Sequence, residues 1–228
     1  MPPEASLRFK IFNLLTNFGK MLGCYFLFFI LLAALQSTFP SFDYDKYQQT
    51  EIFELLKTQP WKFAFMAAIF APVMEEGIFR SLLKPTEFSL KFFFCCVLFM
   101  IGIAFIPDEA HWSLKYGVLG GTLLLAFYAL GELIPEHIFR KTCYWLHRYY
   151  LINWILGAII FGFVHIFNYV DTFQIDLILF IMIFPRIIAG FFFGKIKLEN
   201  RGLIWPMLMH SMNNSMVLLF ILPLTLSN

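Results

Sequence analysis

Residues 61–83 read WKFAFMAAIFAPVMEEGIFRSLL, and this stretch decides the fold. It is long enough to cross a bilayer, for which about 20 mostly apolar residues suffice. Its apolar residues run on without alternating, which favours a helix over a strand of a membrane barrel. Yet it carries Glu75, Glu76 and Arg80. An ionisable side chain inside the bilayer costs at least about 2.5 kcal/mol on insertion scales. These three residues therefore need partners, and they mark a functional site.

Working outward, the rest of the chain has the same character. Of its 228 residues 60% are hydrophobic and 14% charged, whereas soluble domains are about 45–50% apolar and about 25% charged. Mean hydropathy is +0.72. The 31 phenylalanines fall partly in runs such as 92–94 and 191–193, more aromatic surface than a soluble fold of this size can hide. Apolar runs at 21–39, 91–106, 116–134, 149–170, 175–194 and 202–226 join 61–83 as candidate spans. The expected fold class is all-α: a polytopic transmembrane helix bundle of about seven spans with a polar intramembrane cavity. No soluble domain interrupts it, so 1–228 reads as a single domain. The polar stretch 40–60 is expected to be an extramembrane loop with an amphipathic turn.

Charge distribution orients the bundle. Arg8, Lys10 and Lys20 precede the first span; Lys84, then Arg140, Lys141 and Arg148, then Lys195, Lys197 and Arg201 mark alternate loops. The intervening loops hold Asp108, Glu109 and Asp171 and few cations. Basic loops thus share a side, as the positive-inside rule requires, which predicts N-terminus in and C-terminus out. The first run has no small-x-small cleavage site and is long for a signal peptide, so it is expected to stay as a helix. A net charge of +2 leaves no nucleic-acid footprint. Cys24, Cys95, Cys96 and Cys143 match no zinc or haem spacing and read as reduced, buried thiols. The partners implied are membrane lipids and a substrate within the membrane.

Three polar clusters carry chemistry. Glu76 and Arg80 share a helix face at i,i+4 and can pair. Glu75 points about 100° away, which frees its carboxylate to serve as a general base. The alternative is an interfacial salt-bridge cluster of all three beside Lys84. The second cluster is FGFVH at 161–165, with Asn168 following. The third is HSMNN at 210–214, in which His210 and Asn214 share a face. Either histidine alone is more often a helix–helix hydrogen-bonder than a catalyst. Ser211 has no acid near it in sequence and is not expected to be a nucleophile. Convergence of all three clusters on one buried polar pocket is the economical explanation. For His165 to reach the depth of Glu75 and His210, the fifth helix is expected to extend out of the bilayer through 141–150.

In this order the clusters resemble the motifs of the CAAX protease and bacteriocin-processing (CPBP, ABI-type) family of intramembrane proteases. Glu-Glu-x-x-x-Arg matches Glu75, Glu76 and Arg80; Phe-x-x-x-His matches Phe161 and His165; His-x-x-x-Asn matches His210 and Asn214. The resemblance places a protease-like core at about 61–83 and 149–226. About 90 residues separate Glu75 from His165, room for two extra spans at about 91–134 that preserve helix direction. The resemblance implies an endopeptidase with Glu75 as general base, His165 positioning the water, and His210 and Asn214 on the oxyanion. Glu76 and Arg80 would fix the charge state of Glu75. The family is often labelled metalloprotease, so Glu75, His165 and His210 are also a candidate zinc set; no organic cofactor is expected. A bacterial cytoplasmic membrane is the expected location. The competing readings are a catalytically idle scaffold or immunity protein on the same fold and a proton-coupled transporter, the latter weakened by the lack of an internal repeat.

Overall fold

The computed structural model describes residues 6–39, 46–47, 49–107 and 111–226, and all regular structure among them is helical. Helix α1 (Leu7–Thr38) starts on Ser6, whose Oγ accepts the Phe9 N–H at 3.3 Å. Arg8, Lys10 and Lys20 therefore lie inside the helix and not in a flanking tail. A short α2 (Thr50–Thr58) occupies the predicted loop. The deciding stretch forms α3 (Pro60–Phe65), a π turn (Met66–Phe70) and α4 (Ala71–Phe79). Helix α5 (Glu87–Phe105) opens on a reciprocal capping box between Thr86 and Ser89. Helices α6 (Trp112–Leu133) and α7 (Glu136–Arg148) follow, then α8 (Tyr150–Val164), a 3₁₀ turn (His165–Asn168), α9 (Leu177–Asn200) and α10 (Ile204–Leu226). Asp108, Glu109 and residues 40–45 lie outside the described residues.

Two sequence expectations change. Among the described residues four helices are long and apolar enough to cross a membrane: Leu7–Thr38, Glu87–Phe105, Tyr150–Asn168 and Leu177–Asn200. A fifth appears if the bent pair α6–α7, which turns by 99°, counts as one span. Of the seven expected spans, 61–83 and 202–226 are not among these, and 116–134 enters only through the bent pair. Second, α8 does not extend back through 141–150. The chain breaks at Tyr149 (φ −103°, ψ 25°), and α7 is a separate amphipathic helix. Outward-facing residues such as Phe26 (71% exposed) and Leu124 (75% exposed) give the bundle a surface suited to acyl chains. The chain is an integral membrane protein.

The core lies where α1, α8, α9 and α10 meet, around Met21, Phe161, Phe193, Ile196 and Met209. Helices α8 and α9 pack most closely. A Cβ added at Gly190 would sit 3.0 Å from Ala158 Cα and 3.1 Å from its carbonyl oxygen. One turn on in α9, Gly194 makes room for the indole of Trp154, whose Nε1 donates to Phe191 O at 2.9 Å. Small residues that let backbones approach are a recurring basis of helix association in lipid. The α9–α10 link turns through Arg201 (φ 52°) and Gly202 (φ 148°), a conformation that suits glycine at the second position.

Polar contacts pin both ends of the bundle. At one end Asn200 Nδ2 donates to Lys10 O (2.8 Å), Lys195 Nζ to Asn17 Oδ1 (2.6 Å) and Lys197 Nζ to Lys84 O (3.2 Å). Three of the cation-bearing segments thus share that end. At the other end the Asp176 carboxylate accepts from Leu179 N–H (2.8 Å), Tyr47 hydroxyl (2.7 Å) and Lys46 Nζ (3.0 Å).

Gly190→Val is expected to lower stability by about 1–3 kcal/mol through overpacking. Gly23→Ala, at a site with nothing within 4 Å, is expected to be neutral or stabilising. Thermal unfolding of the detergent-solubilised protein compares them, and equal midpoints would contradict the close α8–α9 contact. The Asp176 carboxyl is pushed down to about 2, first by the Leu179 N–H and further by Tyr47 and Lys46. Its folded value is depressed, so the link is intact at neutral pH and is lost only as pH falls from 3.8 toward 2. Asp176→Ala should speed tryptic cleavage after Lys46 at neutral pH.

Candidate active site

The site grows from one buried carboxylate. Glu76 on α4 is 0% exposed. Its Oε2 lies 3.3 Å from Arg80 Nε, close enough for charge pairing but without the alignment of a hydrogen bond. Its Oε1 accepts from His210 Nδ1 at 3.0 Å. Arg80 is itself buried. Its Nη1 reaches Gly157 O at 3.5 Å, and its guanidinium sits over the Phe161 ring at 5.0 Å. One turn of α4 thus holds α8 and α10 through a charge that lipid cannot solvate.

Glu75 is the carboxylate outside this pair. Its side chain is 31% exposed, yet Oε2 is buried and has no hydrogen-bond partner among the described residues. That oxygen lies 3.8 Å from His165 Nε2 and 3.9 Å from His210 Nε2. Both imidazoles are oriented by their other nitrogen. His165 Nδ1 is 2.7 Å from Phe161 O, so Nδ1–H donates there. His210 Nδ1–H donates to Glu76. Each Nε2 is thereby aimed at Glu75. These gaps exceed a direct hydrogen bond and suit a single bridging water.

Aromatic rings wall the cluster. Phe193 stacks on the His210 ring with centroids 4.6 Å apart, and Phe161 meets His210 edge-on at 5.7 Å. Phe161 also supplies the carbonyl that orients His165 and the ring face beneath Arg80. Its place four residues before His165 gave a sequence signal for the first role. Phe193 gave none, because it sits in a run of phenylalanines indistinguishable from lipid-facing residues.

Asn214 is placed one turn along α10, and its Nδ2 donates to Ala67 O at 2.8 Å. Ser211 Oγ donates to Ala68 O. Both carbonyls belong to the π turn. The Ala71 N–H bonds Met66 O, and Pro72 has no N–H to give. Ala67 and Ala68 therefore need donors from another helix, and α10 supplies two. The structure thus brings together Glu75, Glu76, Arg80, His165 and His210, while Asn214 braces the helix that carries the glutamates.

The zinc set does not fit. Donors around tetrahedral zinc lie about 3.3–3.5 Å from one another, closer than the 3.8 and 3.9 Å found here. No group of three His, Cys, Asp or Glu side chains among the described residues converges as a metal shell.

Ser211→Ala is expected to cost about 1–3 kcal/mol by leaving the Ala68 carbonyl unpaired. In a Pro72→Ala background a backbone N–H is restored, and the same substitution should cost less. A double-mutant cycle on thermal stability reads the coupling; additive effects would exclude it.

The model of the type II CAAX prenyl endopeptidase Rce1-like family matches residues 57–216. No curated protein and no solved structure shows a significant match. The matched stretch runs from the end of α2 into α10 and contains every residue of the cluster. On that match, this integral membrane protein belongs to the type II CAAX prenyl endopeptidase Rce1-like family.

Proposed function

We propose that the protein is an intramembrane endopeptidase that hydrolyses a peptide bond of a membrane-associated substrate through a water activated by Glu75. The observation that carries this reading is the buried Glu75 Oε2 facing two imidazole Nε2 atoms at 3.8 and 3.9 Å. A water between them gives one proton to Glu75 and is oriented by His165. Its oxygen adds to the scissile carbonyl carbon, and the carbonyl oxygen takes the negative charge. His210, with Nδ1–H on the Glu76 carboxylate, donates from Nε2 to that oxyanion when protonated, with Glu76 holding the imidazolium as a triad acid does. Glu75 then passes its proton to the departing amine nitrogen, and the peptide is cut. Arg80 fixes the charge of Glu76, and Asn214 acts through the π turn as a positioning residue.

In this reading α3–α4 and α10 also lie within the bilayer, as the sixth and seventh spans. The end that gathers Lys10, Lys84, Lys195 and Lys197 faces the cytoplasm of a bacterial host. Membrane lipid surrounds the bundle, and nucleic acid has no role. The family's name adds a prenylated carboxy-terminal peptide as the substrate to try first.

The test is cleavage, by the purified protein in nanodiscs, of a fluorescent peptide ending in a farnesylated cysteine and three apolar residues. Glu75→Gln, which keeps shape and removes the base, should lower kcat by about 10²–10⁴ with the thermal midpoint unchanged. Chelator should leave the wild-type rate as it was. Equal rates for wild type and Glu75→Gln, or no cleavage by folded wild type, would favour an idle scaffold on the same fold.

A further inference from the structure

Helix α9 carries a cation that the catalytic cluster does not use. Arg186 lies about 13 Å along the helix from Leu177 and about 21 Å from Asn200 at 1.5 Å per residue, deep in the span. Among the described residues no carboxylate pairs with it. Its Nη1 turns back to Met182 O at 3.2 Å, and its guanidinium faces the Tyr169 ring at 5.8 Å. A cation this deep, with no carboxylate beside it among the described residues, points to a functional role.

The surroundings say what kind. Arg186 lines a groove of about 360 Å³ between α1 and α9, with Phe28 and Leu32 on one wall and Ile181 and Pro185 on the other. Apart from Arg186, the polar side chains of the lining are Gln36 and Tyr169, and the rest is apolar. Volume and lining suit a short apolar peptide, with one cation and the Gln36 amide to fix its end. The groove also adjoins the cluster. Tyr169 ends the 3₁₀ turn that begins at His165, about 8 Å at 2.0 Å per residue, a distance that two or three extended residues cover. His165 is within electrostatic reach of the guanidinium. A lipid headgroup belongs at the interface and not at this depth.

We propose that Arg186 binds the free α-carboxylate of the substrate, with the substrate's last apolar residues lying in the α1–α9 groove. This assignment rests on the endopeptidase reading and deepens it. It makes the enzyme specific for a chain end: the carboxylate is the one anion an apolar segment brings into the bilayer with it, and Arg186 is its counter-ion.

The test uses the farnesylated peptide as free acid and as carboxamide, with the full chain in nanodiscs. Wild type should favour the acid in kcat/KM by about ten- to a hundredfold, the ratio expected from one charge-assisted hydrogen bond. Arg186→Gln should bring the acid down to the rate of the amide, and Arg186→Lys should keep part of the preference. A wild-type acid-to-amide ratio near one, or a ratio preserved in Arg186→Gln, overturns the assignment. Binding of both peptides, followed by fluorescence anisotropy, separates it from the parent reading. If neither peptide is cut, the endopeptidase reading fails; the groove assignment then stands or falls on whether wild type binds the acid more tightly and Arg186→Gln does not.

Discussion

A carboxylate that no solvent can reach, Glu76, sets the terms for the rest of the structure. Its partners are Arg80 at 3.3 Å and His210 at 3.0 Å, and each partner is in turn held by another element. Arg80 leans on the Gly157 carbonyl and the Phe161 ring of α8. His210 is stacked on Phe193 of α9. Removing any one of them leaves an uncompensated buried charge, a loss of several kcal/mol. The four helices are therefore joined at a single electrostatic point, and Glu75, one residue away, inherits a fixed position without joining the pair.

Helix α9 is the scaffold that makes this possible. Gly190 brings it against the Ala158 backbone of α8, and nearly one face of α9 then presents, two turns apart, Phe193 to His210 and Arg186 to the α1 groove. Lys197, further along, reaches the Lys84 carbonyl just beyond α4. The same helix sets the position of the histidines and the end of the glutamate segment, so their separation is fixed by backbone contact and not by side-chain adjustment.

Much of this was legible in residue types and spacing. Continuous apolar runs specified helices, and the cost of Glu75, Glu76, Arg80, His165 and His210 in lipid pointed to their convergence. What stayed hidden follows from three physical causes. A hydropathy run cannot show where a helix breaks, so the turn at Tyr149 and the 99° bend before α7 were missed. Shared-face logic located Asn214 but not the acceptor for its amide, because the orphan carbonyls of Ala67 and Ala68 are backbone groups; Pro72 was the one visible sign of them. And residue chemistry offered Glu75, His165 and His210 as zinc ligands without showing that the carboxylate stands 3.8 and 3.9 Å from the two imidazoles.

The π turn has a geometric consequence of its own. One extra residue in a turn offsets the two halves of the segment by about 100° of rotation. The exposed face that carries Trp61 and Phe65 is thus phased independently of the face on which Glu75 and Glu76 meet the histidines. With Ser211 and Asn214 gripping the joint, α10 acts as the key that holds this offset in register. A lineage that lost one residue between 66 and 70 would straighten the helix and swing the paired acids round, away from the histidines. Length in that turn is consequently more constrained than its bland alanine and phenylalanine composition suggests.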